Sequence, residues 1–119
     1  MGLFDKWKKK PEAPVDFAAI ATMEEAEKLA RAGILAPLYM MPLRFSGEES
    51  ARNRLFVPEA AVVLKDRFDD QVEQLLLAGK VNGYSCEPQY RGKSVIPCDL
   101  KVIARNQGED VFTETIHIW

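Results

Sequence analysis

The run from 58 to 78 constrains the fold most. Ala61, Leu64, Phe68, Val72, Leu75 and Leu76 recur there at intervals of three and four, which gathers apolar side chains on one stripe of a helix. Pro58 suits a first helical turn, where a backbone N–H has no partner in any case, and Gly79 suits the left-handed residue that ends one. Lys65, Asp66, Asp69, Asp70 and Glu73 are expected on the opposite, solvated side, with Lys65 and Arg67 partly offsetting the acids. A helix with one apolar stripe must lie on something. The stretches 81–87, 95–105 and 111–119 that follow are strand-like, the last two with clean alternation, and short enough in their connections to fold back as a meander.

Upstream, Thr22 and Glu25 have the spacing of a capping box, and Ala26, Leu29 and Ala30 continue a helix over 23–32 that Gly33 ends. The segment 34–45 is apolar and β-prone, but Pro37 and Pro42 each remove a donor, so an edge or interrupted strand is expected. Residues 46–54 read as a loop, with Ser46 and Glu49 spaced to cap one helical turn, and 55–57 as a short strand. The order helix, strand, strand, helix, three strands predicts an α+β fold: an antiparallel sheet with two helices packed on one face and a C-terminal three-stranded meander. Residues 15–119 form one domain in this reading, and 1–14 a flexible basic N-terminal tail.

Glycines suggest registers. Centring the last hairpin on Gly108 sets Asp99 against His117, Leu100 against Ile116, Lys101 against Thr115 and Ala104 against Phe112. This keeps apolar pairs on one face and polar pairs on the other, with Glu114 opposite Val102 as the misfit. Centring the preceding hairpin on Gly92 sets Cys86 against Cys98 and Tyr84 against Leu100. The strand 111–119 is then a free edge, able to pair with a second copy as a homodimer.

Composition narrows the function classes. At 119 residues the chain is long enough to bury a core without metal or disulfide staples, and 16 Lys and Arg against 18 Asp and Glu leave a net charge of −2. Such a balance provides no global field for nucleic acid. No apolar run approaches the roughly 18–20 residues a spanning helix needs, and the N-terminus lacks a secretory signal, so a cytoplasmic protein with reduced cysteines is expected. In the tail, Lys6, Lys8, Lys9 and Lys10 accompany Leu3, Phe4 and Trp7, which would share one side of a helix and give weak membrane contact. Lys6 stands where a myristoylation motif wants Ser or Thr.

No catalytic, metal or cofactor signature emerges. His117, the only histidine, would face Asp99, with Ser85 further along the same polar face, but a plain cross-strand pair accounts for this arrangement. Cys86 and Cys98 lack zinc or thioredoxin spacing and are expected as buried thiols. Gly92-Lys93-Ser94 resembles the end of a phosphate-binding loop only superficially, because Glu87 stands where the first glycine should and no helix follows. Tyr90, Arg91 and Lys93 instead display an aromatic and two cations on a hairpin loop, residue types suited to an interface. Met40 and Met41 read as core filler.

The sequence therefore predicts a non-enzymatic, bacterial-type cytoplasmic binding protein that contacts another protein through Tyr90, Arg91, Lys93, Asp99 and His117, as an immunity- or adaptor-type module does. One alternative is a small-molecule or enzymatic site around Ser85, Asp99 and His117. Another is a peripheral membrane protein tethered through Leu3, Phe4 and Trp7.

Overall fold

The computed structural model describes residues 15–119. The tail 1–14, with the membrane contacts expected of Leu3, Phe4 and Trp7, lies outside the described residues. Helix α1 spans Met23–Arg31, and Thr22 Oγ1 both accepts from the Glu25 N–H at 3.2 Å and donates to its carboxylate at 3.0 Å. Strand β1, Ala36–Tyr39, pairs antiparallel with β2, Arg54–Val57. Helix α2 is Glu59–Leu77, and β3 (Gly83–Gln89), β4 (Asp99–Asn106) and β5 (Glu109–His117) form an antiparallel meander in that order. The fold is α+β.

The strands divide into two sheets rather than one. Met40 N–H bonds the Asn53 carbonyl, so the ladder alternation turns residues 36, 38 and 40 toward β2 and Pro37 toward the outer edge. An edge lacking that N–H is poorly suited to accept another strand. Between the two strands the chain is held by Asn53, whose side chain accepts from Met41 N–H and donates to the Met41 and Glu48 carbonyls, each at 2.8 Å. Gly47 passes so close to the Met41 carbonyl that a Cβ there would collide with it. The single helical turn in this loop is a 3-10 turn at Ala51–Asn53; Ser46, expected as a cap, instead takes a left-handed conformation at φ 71°.

Helix α2 joins the two sheets. Leu38, Leu55 and Val57 of the small sheet, Ala61 of α2, and Leu100 and Ile116 of the meander form one core cluster, with Met40 packed against it. A second unites Ala26 of α1 with Phe56 of β2, Ile20, Leu35 and Ile96, and Trp119 packs against it. The third lies at the far end of α2, where Val72 meets Val81, Val102 and Ala104.

The last hairpin has the expected register from Asp99↔His117 through Ala104↔Phe112. It then shifts by a β-bulge, because the turn is made by Gln107 (φ 53°) and Gly108 (φ 83°) together rather than by Gly108 alone. The Gly92 register is corrected: Cys86 pairs with Val102 and Tyr84 with Ala104, not with Cys98 and Leu100. The connection 90–98 is a long loop rather than a tight hairpin. Ser94 pins it by donating to the Phe17 carbonyl at 2.6 Å and accepting from Ile96 N–H at 3.0 Å, and Cys98 N–H closes the ladder on the Gln89 carbonyl at 2.8 Å. The displacement is by an even number of residues, so the face assignment survives. Both cysteines are free thiols.

Candidate functional site

Neither helix packs on the outer face of the meander, where β4 carries Asp99, Lys101, Ile103 and Arg105 and β5 carries Thr113, Thr115 and His117; this face is not uniformly solvated, since Ile103 at its centre is only 2% exposed. The expected pair is formed: His117 Nδ1 lies 2.6 Å from Asp99 Oδ1. Ser85 shares the face but not the site. It sits opposite Ile103 and accepts from Arg105 Nη1 at 3.2 Å, while Arg105 Nε donates to Asp110 at 2.8 Å. Ile103 is four positions along β4 from Asp99, about 13 Å at the usual strand rise. The imidazole is 82% exposed, and His117 lines a small cleft of about 140 Å³ with Pro58, Ala61, Leu64 and Ile116, to which Ser85 and Asp99 do not contribute. Such a pair can bind or orient a polar group on a partner.

Tyr90, Arg91 and Lys93 all lie in the loop between β3 and β4 and are exposed. Partial burial, and secondarily the nearby Cys86 thiol, raises the Tyr90 hydroxyl pKa. The Arg91 guanidinium lies 5.1 Å from the Trp119 ring centroid, and that indole donates to the Ile96 carbonyl at 3.1 Å and packs against Phe17. The loop is thereby fastened to the chain end. Among the described residues no hydrogen bond or ion pair joins Tyr90, Arg91 or Lys93 to Asp99 or His117, so these five residues form two neighbouring patches and not one constellation.

One polar cluster was misplaced by the sequence. Lys65 and Asp69, expected in solvent, are buried at 3% and 4% exposure. Lys65 Nζ donates to Asp69 Oδ2 at 2.7 Å, Tyr84 donates to the other carboxylate oxygen at 2.6 Å, and the ammonium lies 5.5 Å from the Tyr84 ring centroid. Burial first, then the Asp69 hydrogen bond, raises the Tyr84 pKa far above its ordinary value. The signal was positional. Lys65 and Asp69 are the fourth and eighth residues after buried Ala61, hence rotated by only about 40° and 80° at roughly 100° per residue. Arg44, not Lys65, offsets the acidic stripe, facing Asp66, Asp70 and Glu73.

Lys65 and Asp69 also line a cleft of about 520 Å³ between β1, the Leu43–Phe45 turn and α2, walled by Leu38, Leu43 and Val62. The ammonium is engaged by a carboxylate on one side and an aromatic ring on another, which makes the triad a bolt between α2 and β3. Among the described residues no group of three or more His, Cys, Asp or Glu side chains could hold a metal ion, and no helix is long and apolar enough to cross a membrane.

Removing one partner of a buried ion pair strands the other charge, so Asp69→Ala should destabilise the fold by about 3–5 kcal/mol in a denaturant titration. A Lys65→Met/Asp69→Asn double variant should recover much of that loss. Burial lifts the Cys86 thiol to about 11 from 9.0. A thiol with a raised folded-state pKa contributes stability that is complete below its unfolded value and lost as pH rises through the folded one. Stability should therefore fall between about pH 9 and 11, less steeply in Cys86→Ala, and alkylation of Cys86 in the native protein should stay slow until that window. No protein-family model matches the chain, nor does any curated protein or solved structure.

Proposed function

We propose that the chain is a binding protein and not a catalyst, engaging another protein through the outer face of the meander and the loops 87–94 and 46–53. The observation that carries this reading is a sheet face that neither helix covers and that bears preformed side-chain pairs, His117–Asp99 and Arg105–Asp110, with the imidazole 82% exposed. Arg91 and Lys93 beside it have no ion-pair partner among the described residues. The fitting partner is thus a protein with acidic side chains opposite the 87–94 loop. An immunity- or adaptor-type role in a bacterial cytoplasm is consistent with a small acidic module of this kind, an association that rests on format alone.

A second reading, homodimerisation, rests on β5. It is an edge strand of nine residues with no proline and a mostly exposed run. Unblocked edges of this length are templates for pairing with another strand.

The protein-binding reading is tested by capture from the native host with the intact chain, a Tyr90→Ala/Arg91→Ala variant and a Lys93→Glu variant. One defined partner should be retained by the wild type and reduced about tenfold or more by each variant, as truncation of interface anchors does. Equal capture by all three chains sinks it. Sedimentation equilibrium across micromolar concentrations tests the second reading: a rising mean mass supports the β5 pairing, and a monomer throughout removes it.

A further inference from the structure

We infer that the cleft between α1 and the β1–β2 hairpin binds a small ligand carrying an oxyanion, a carboxylate or phosphate group on an apolar or aromatic body. The floor is built by two cross-strand pairs on the face turned to α1, Tyr39 with Arg54 and Pro37 with Phe56. Helix α1 supplies the wall, where Glu27, Ala30 and Arg31 share a side by their i, i+3, i+4 spacing. The cleft is shallow and open to solvent, with a volume of about 430 Å³.

The donors in this cleft are under-used. Arg54 Nε is buried and has no hydrogen-bond partner, the one such side-chain atom among the described residues. The nearest acid, Glu27, stands 3.8 Å from Arg54 Nη2, too far for a hydrogen bond. Arg31 and the Tyr39 hydroxyl make no hydrogen bond or ion pair with any described residue. Two guanidinium groups against one carboxylate leave the cleft net positive in a chain of net charge −2, so the charge here runs against the whole.

Phe56 orients the chief donor. The Arg54 guanidinium carbon lies 5.3 Å from the Phe56 ring centroid, which holds the planar fork over an apolar floor. A guanidinium so placed recognises a carboxylate or phosphate by two parallel N–H bonds, from Nε and one Nη. For both to meet one oxyanion the fork must turn away from Glu27 and bring the buried Nε to the cleft. Arg31 supplies a second cation on the α1 wall of the same cleft, and Tyr39 and Pro37 line the part left for the ligand body. Lysine could not substitute at Arg54, since it offers a point charge without the fork.

Titrations of the intact chain with benzoate, phenyl phosphate and the neutral benzyl alcohol test this, read by calorimetry and by the Arg54 Nε–H resonance in a nitrogen–proton correlation spectrum. At least one anion should saturate and move that resonance, and benzyl alcohol should do neither; which anion binds identifies the group recognised. Arg54→Lys should weaken binding by about tenfold or more, and Glu27→Gln, which removes the competing carboxylate, should tighten it. Arg31 is exposed, so Arg31→Gln keeps the fold and should weaken binding severalfold with an unchanged melting midpoint. The inference is overturned if neither anion saturates, if Arg31→Gln and Arg54→Lys bind as the wild type does, or if shifts spread over every exposed cation.

Discussion

Helix α2 has to satisfy two sheets at once, and the rest of the molecule is arranged around that demand. Its start packs Ala61 between the small sheet and the meander, and its end packs Val72 beneath Val102 and Ala104. Between these two apolar contacts stands the Lys65–Asp69–Tyr84 cluster. An isolated charge in such a position would be strongly destabilising, but here each partner is hydrogen-bonded, and the pairing can be met in only one placement of α2 against β3. Apolar packing fixes how close the helix lies; the polar cluster fixes its rotation and its height along the sheet.

Where local chemistry decides the structure, the sequence was legible. The Thr22–Glu25 box, the glycine after α1 and the alternation in β4 and β5 each depend on neighbours within a turn or a hairpin, and each is found. Register across the 90–98 loop depends on Ser94 reaching Phe17, far away in the chain, and no spacing rule anticipates that contact. Lys65 and Asp69 depart from expectation for another reason. Their residue types point to solvent, whereas the helical repeat places both beside Ala61 and Val72. Asn53 as the clasp of the 40–53 segment is equally invisible in the sequence, since any loop asparagine looks the same there.

The three surfaces have different physical characters. On the meander's outer face, His117 and Asp99 meet with the imidazole exposed and the carboxylate half-buried. The cleft over Lys65 is wide, with apolar walls and a floor whose charges already answer one another. The cleft beside α1 is the reverse case, with donors in place and too few acceptors. Of the five residues expected to bind, Asp99 and His117 do converge, and Tyr90, Arg91 and Lys93 form an adjacent patch fixed through Trp119. None of the five lines the α1 cleft, whose residues come from elements that the sequence marks only as core-forming.

The continuous β3–β4 ladder limits how this chain can change. A strand alternates its sides with a period of two, so sliding β3 by an even step exchanges each neighbour yet leaves every side chain on the side it occupied. The 90–98 segment is thus a place where paired insertions or deletions would re-aim the displayed loop without turning the sheet inside out. Single-residue changes there would either lengthen the loop or be absorbed by a bulge, as at the tip of the following hairpin. Only changes that move the strands themselves are restricted to even steps, so the loop can vary in length while the core keeps its side chains.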